Sequence, residues 1–130
     1  AVVGSVKDKD EPAAYGVATG LERTGFSLLA TRGTAEYLRS RGVTVETVNK
    51  VFEGRPHIVD RIKDRGIDLV INTVYGAESQ KDSYSIRRTT LTQGIPYFTT
   101  MSAAKAAVRG IQALKAKPLE VKSIQEYQQR

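Results

Sequence analysis

Short apolar runs rich in β-branched residues alternate with amphipathic stretches from one end of the chain to the other. The runs Val2 to Val6, Ser27 to Ala30, Val43 to Val48, Asp68 to Thr73 and the shorter Tyr97 to Thr99 predict strands. In Ile67-Asp68-Leu69-Val70-Ile71-Asn72 the apolar stretch is nearly unbroken, as expected of a strand covered on both faces. Between the runs, Pro12 suits a first helical turn, and Ala14, Val17, Ala18 and Leu21 follow at helical spacing. Thr34 to Arg41 predicts a short helix closed by Gly42. Pro56 opens a further helix with Ile58, Val59 and Ile62 on one face and Gly66 at its end. Ser83 to Thr92 and Ser102 to Leu114 complete the set. Lys115 to Pro118 breaks the pattern, and Ser123 to Arg130 is polar enough for a surface helix or a frayed tail.

Strand and helix alternate about five times, which predicts an α/β domain of three layers: a mostly parallel five-stranded sheet with helices on both faces. With no internal repeat and no low-complexity linker, residues 1–130 are expected to form a single domain, long enough to bury its own core.

Composition narrows the chemistry. There is no cysteine, which excludes disulfides and thiolate metal sites, and one histidine, His57, supplies too few ligands for a zinc site of the usual kind. No apolar run approaches the ~20 residues that span a bilayer. The opening Ala1-Val2-Val3-Gly4-Ser5-Val6 lacks a signal-peptide layout, so a cytoplasmic protein or fragment is expected. The net charge of +6 suits nucleic acid, a small phosphorylated ligand or an acidic neighbour. The basic residues are spread along the chain, without the clustering of a nucleic-acid surface.

In sheets of this kind, ligands bind beyond the carboxyl ends of the strands. After the second predicted strand comes Thr31-Arg32-Gly33-Thr34, after the third Asn49-Lys50, and after the fourth Asn72-Thr73-Val74-Tyr75-Gly76. Hydroxyls, amides, glycines and a lysine meet at one edge, with no carboxylate in these three turns. That is an anion site in outline: a helix N-terminus offers oriented N–H groups and partial positive charge, and Lys50 adds a full one. Each feature alone has a plainer reading. A threonine before a helix serves as an N-cap, a lone lysine is solvated, and Asn-Thr ends a strand with turn chemistry. Glu53 and His57 are four apart, but Gly54 and Pro56 make this a turn with a first-turn histidine. Arg87-Arg88 suits a solvated or docking helix face, and Asp82 suits a cap for the helix after it.

Ala30-Thr31-Arg32-Gly33-Thr34-Ala35, Val48-Asn49-Lys50-Val51, Glu53-Gly54-Arg55-Pro56, Ile71-Asn72-Thr73 and Ile86-Arg87-Arg88 follow one another in this order. Together they resemble the methylglyoxal-synthase-like (MGS-like) domain that closes the large subunit of bacterial carbamoyl-phosphate synthase; Tyr97-Phe98-Thr99-Thr100 fits as well. The resemblance covers essentially the whole chain. It implies a flavodoxin-like or Rossmann-like domain with no catalytic residue of its own. Such a domain senses UMP or IMP, and in some members ornithine, to control carbamoyl phosphate formation for pyrimidine and arginine biosynthesis.

Under this resemblance Thr31, Gly33, Thr34 and Lys50 hold the effector phosphate. Asn72, Thr73, Val74 and Gly76 line the ribose and base side, with Asp82 at the rim. Tyr97 and Thr99 face the neighbouring synthetase domain, where ornithine is sensed. The resemblance implies no cofactor or metal in this domain, and ATP, Mg and K in a parent ligase. Its partners would be the synthetase domains of the same chain and a glutaminase small subunit, with no nucleic acid or membrane. Two positions depart from the pattern. Glu11 stands where many members carry a phosphate-binding lysine, with Lys9 close by to compensate, and Val74 replaces a threonine found in some UMP-binding members.

Three rival readings can be told apart. A free-standing methylglyoxal synthase eliminates phosphate after proton abstraction and needs a carboxylate base beside the phosphate cradle; Glu11, Glu53 and Asp82 lie in other motifs. The IMP cyclohydrolase domain shares the fold, but the Asn-Lys-Val and Glu-Gly-Arg-Pro runs fit it less well. A nucleic-acid module would bind with steep salt dependence and ignore mononucleotides.

Overall fold

A computed structural model describes residues 1–64, 66–73 and 77–116, with the backbone alone for 77–82 and 115–116. The elements are β1 (Val2–Ser5), α1 (Glu11–Arg23), β2 (Leu28–Thr31), α2 (Arg32–Ser40), β3 (Glu46–Val48), α3 (Ile58–Lys63), β4 (Leu69–Asn72), α4 (Ala77–Thr92), β5 (Tyr97–Phe98) and α5 (Met101–Ala116). Single 3-10 turns at Asp8–Asp10 and Val51–Glu53 follow β1 and β3.

All strand pairings are parallel, in the order β3-β2-β1-β4-β5. The chain starts at the centre, winds outward to β3, then crosses back to β4 and β5. This is the Rossmann-like order within the doubly wound class, and its switch point lies between β1 and β4.

Alternation of side chains across each strand divides the core in two. Val2, Leu28, Ala30, Leu69 and Ile71 face α1, α2 and α5, meeting Val17, Leu21, Leu38 and Val108. Val3, Leu29, Val48 and Val70 face α3 and α4, meeting Ile58, Val59, Ile62 and Ile86. Each valine, leucine or isoleucine among them contributes about 1.5–3 kcal/mol of transfer free energy when fully buried. On the first face an apolar pocket of about 40 Å³ lies beneath α1, lined by Gly4, Ala14, Ala18, Ala30 and Met101 among others.

The helix stops follow backbone chemistry. Gly42 has φ +84°; its N–H donates to the Arg39 carbonyl and that of Val43 to the Leu38 carbonyl, which closes α2 in the two-bond pattern of a glycine terminus. Gly25 closes α1 in the same way.

Several boundaries differ from the pattern-based expectation. β3 begins at Glu46, not Val43: Val43 and Val45 are buried, but the Val45 carbonyl is taken by the Arg39 guanidinium at 2.8 and 3.1 Å. α2 begins at Arg32 because Thr31 itself is the extended N-cap residue. α4 begins at Ala77, six residues before Ser83, so Asp82 lies within the helix and does not cap it. Ser123 to Arg130 lies outside the described residues. No helix among the described residues is long and apolar enough to cross a membrane.

Candidate functional site

Strand register brings the carboxyl ends of β1, β2, β3 and β4 to one edge: Ser5 stands opposite Asn72, and Thr31 opposite Val48. Thr31 is buried and its hydroxyl donates to Ser5 Oγ at 3.1 Å. It therefore makes no side-chain cap for α2, although it occupies the N-cap position. Gly33 follows in the exposed first turn, where an added Cβ would meet nothing within 4 Å. Thr34, also buried, accepts from Val6 N at 3.1 Å and donates to Val6 O at 3.4 Å. Thr73 accepts from Lys7 N at 3.0 Å. Three threonines thus hold the end of β1 and the connection to α1.

Asn72 is buried, and its amide donates to Ser83 Oγ and to the Tyr97 hydroxyl, each at 3.0 Å. Tyr97 is thereby drawn into the cluster, half-buried against the α3–α4 core, while Thr99 beyond β5 is exposed.

The loop that carries Lys50 is fastened along its length. Asn49 Nδ2 donates to the Gly54 and Pro56 carbonyls at 3.4 and 3.2 Å, and Ile58 N donates to Asn49 O at 2.8 Å. Lys50 N donates to Glu53 Oε1 at 2.7 Å, and the other Glu53 oxygen lies 3.8 Å from Arg32 Nη2. Glu53 therefore joins the Lys50 loop to the first residue of α2. The Lys50 ammonium is 6.0 Å from the Phe52 ring centroid.

Further along, Arg55 grips Asp60 with two bonds of 2.7 and 3.2 Å, and Asp60 Oδ2 also accepts from His57 N at 2.9 Å. The Arg55 bonds, then the backbone bond from His57, hold the Asp60 carboxyl at about 2, below the ordinary carboxylate value. His57 is the N-cap of α3, its Nδ1 accepting from Asp60 N at 3.4 Å, one position before the first turn expected of it. It forms no acid–base pair with Glu53.

Glu11 opens α1. Desolvation and then the neighbouring Asp8 push its carboxyl pKa upward, and Arg41 partly offsets them. Asp10 lies 3.8 Å from Lys7 Nζ, and Lys9 is exposed. The start of α1 is thus predominantly acidic.

Of the residues singled out from the sequence, Thr31, Gly33, Thr34, Lys50, Asn72 and Thr73 share the strand-end edge. Val74 and Gly76 lie outside the described residues; the Asp82 backbone is in α4 and its side chain is not among those described. Arg87 and Arg88 are exposed on α4. Four residues escaped the sequence reading: Ser5, Arg32, Phe52 and Ser83. Ser5 was legible, since it ends β1 as Thr31 ends β2. Arg32 and Phe52 are adjacent to motif positions but are ordinary surface types, and Ser83 is placed only by the path of α4. Among the described residues no three His, Cys, Asp or Glu side chains group as metal ligands.

The MGS-like domain family model matches residues 13–99. On this match and the parallel three-layer fold, the chain belongs to the MGS-like domain family. It is 50% identical over 123 residues to the carbamoyl phosphate synthase large chain of Myxococcus xanthus, covering 95% of this chain and 11% of that one. It is 47% identical over 123 residues to the C-terminal section of the carbamoyl phosphate synthase large chain of Methanopyrus kandleri, covering 94% of this chain and 23% of that one. The resemblance carried by the motifs is thus shown across nearly the full chain, which spans between about a tenth and a quarter of the length of these relatives. Among solved structures, a methylglyoxal synthase from Elizabethkingia anophelis superposes with a TM-score of 0.65 at 19% identity, covering 82% of this chain and 76% of that one. At that identity the likeness establishes the fold alone.

Proposed function

We propose that this domain is the nucleotide-sensing regulatory part of a carbamoyl-phosphate synthase large chain, taking the phosphate of UMP or IMP at the N-terminus of α2. The observation that carries the reading is a helix start that its N-cap side chain leaves uncapped, with Gly33 and Thr34 in its first turn and the Lys50 loop tied to it through Glu53 and Arg32. A phosphate there accepts first-turn N–H bonds and a charge-assisted contact from Lys50. The Thr34 hydroxyl can keep its bond from Val6 N and turn its proton from Val6 O to the phosphate. Thr31 backs the turn through Ser5. On this reading Asn72 and Thr73, with Val74, Gly76 and Asp82, form the ribose and base side.

The bond from Asn72 to the Tyr97 hydroxyl supplies a physical link from site to β5. Tyr97 and Thr99 would pass nucleotide occupancy to a synthetase domain of the same chain, where ornithine is sensed in responsive members. The parent would be a cytoplasmic, glutamine-hydrolysing ligase using ATP, Mg and K, partnered by a glutaminase small subunit. A phosphate-eliminating lyase is disfavoured at Glu53, the carboxylate beside Lys50, because its oxygens face Lys50 N and Arg32. The test is calorimetric titration of UMP, IMP and ornithine in phosphate- and sulfate-free buffer, with Lys50→Ala as control. One-site nucleotide binding that collapses in the variant is expected; no nucleotide binding by the wild-type chain refutes the reading. In the parent, Tyr97→Ala should blunt the effector response while sparing nucleotide affinity, and equal loss of both would break the proposed link.

A further inference from the structure

We infer that Glu53 is a positioning residue for the effector phosphate: it holds the Lys50 loop to the start of α2, so that this carboxylate strengthens anion binding nearby instead of opposing it. The inference rests on the nucleotide reading above.

Lys50 follows β3, whereas the helix start follows β2. For the lysine and the first-turn N–H groups to serve one anion, these two segments have to keep a fixed separation. Asn49 fastens the Lys50 loop only to itself and to α3. Its amide donates to the Gly54 and Pro56 carbonyls, and its carbonyl accepts from Ile58 N. Among the described residues, the Glu53–Arg32 contact is the one polar contact that runs from residues 49–57 to α2.

The Glu53 side chain is 21% exposed and that of Arg32 62%, so the arginine reaches from water to a sheltered carboxylate. Oε1 takes the Lys50 N–H at 2.7 Å, which fixes the backbone from which the lysine side chain departs. Oε2 faces Arg32 Nη2, at the first residue of α2, at 3.8 Å. Both oxygens are thus committed, one to a backbone donor and one to a guanidinium that matches the negative charge. An anion meets a loop already in place and is spared the cost of ordering it. A carboxylate without these partners would repel the anion, and its removal would tighten binding. The two roles therefore predict opposite signs when the side chain is cut away.

Calorimetric titration of UMP and ribose 5-phosphate into the chain and its Glu53→Ala, Glu53→Gln and Arg32→Ala variants tests this. Glu53→Ala loses both contacts and should weaken the two ligands by the same factor, about 5- to 20-fold. Glu53→Gln keeps an acceptor for Lys50 N and loses only the attraction to Arg32, and Arg32→Ala removes the same attraction from the other side. Each should weaken both ligands about two- to threefold. Unchanged or tighter binding in Glu53→Ala overturns the inference and leaves the nucleotide reading standing. A loss for UMP alone also overturns it, since Glu53 would then act away from the phosphate. So do equal losses in Glu53→Gln and Glu53→Ala, because the bond to Lys50 N would then hold nothing. Should Glu53→Ala melt well below the wild type, the largely exposed Arg32 carries the test, and unchanged binding in Arg32→Ala overturns the tie to α2. Failure of the wild-type chain to bind either ligand removes the nucleotide reading itself.

Discussion

Replacing Thr34 with valine removes one hydroxyl and almost no volume, so it separates hydrogen bonding from packing. The side chain is 4% exposed, and its oxygen accepts from Val6 N at 3.1 Å. In Thr34→Val that part-buried N–H loses its acceptor, at a cost of about 1–2 kcal/mol. For a domain of this size, 1 kcal/mol corresponds to roughly 4 °C in Tm, so the variant should melt about 4–8 °C lower. A hydrogen bond to a charged group contributes about 1.5–3 kcal/mol, so nucleotide affinity should fall about 10- to 150-fold. Thr34→Ser retains the oxygen and loses a methyl group worth about 0.8 kcal/mol; it should bind nucleotide within a few-fold of wild type. Thermal unfolding by circular dichroism and calorimetric titration read the two effects separately. A Thr34→Val chain that melts at or above wild type refutes the idea that this hydroxyl holds the β1–α1 connection. One that melts lower yet binds nucleotide normally refutes its phosphate role.

Gly4 has an unstrained backbone, and an added Cβ meets nothing within 4 Å above the apolar pocket; Gly4→Ala should therefore stabilise the chain by about 0.5–1 kcal/mol, read as a higher Tm. Asp60 titrates at about 2 in the fold against an ordinary 3.8, so on acidification the unfolded chain takes up its proton first. Its stabilising contribution is full above about pH 4 and is lost as pH falls toward 2; denaturant titrations across this window should show that decline, flattened in Asp60→Asn. Glu11→Lys reverses a charge at the acidic start of α1 and should tighten nucleotide binding by about 1 kcal/mol, or about fivefold, at low salt; unchanged affinity would place Glu11 out of reach of the anion.

The alternating pattern was enough to predict the class of fold. Apolar runs too short for helices, separated by amphipathic segments, have few other ways to cover both faces of a sheet. It also pointed to the strand ends, so Thr31, Gly33, Thr34, Lys50, Asn72 and Thr73 were legible as candidates before any contact was known. Glycines with room for a left-handed turn, Gly42 among them, marked helix stops because that signal is local. The extent of α4 was less legible: Ala77 to Asp82 carries no apolar periodicity, so the pattern begins only at Ser83 although the helix starts at Ala77.

The tertiary structure decided what each candidate faces. Thr31 turns to Ser5, Thr34 to Val6 and Thr73 to Lys7, across separations of 26, 28 and 66 residues. Asn72 reaches Tyr97, 25 residues away, which joins the candidate site to the edge strand. Glu53 was legible only as part of a motif; the fold makes it the bridge between Arg32 and the Lys50 loop. Local periodicity encodes whether a segment is strand or helix, because that depends on neighbours a few positions away. The order β3-β2-β1-β4-β5 and the register that sets Ser5 opposite Asn72 depend on how distant segments share one core, and only the assembled sheet determines them.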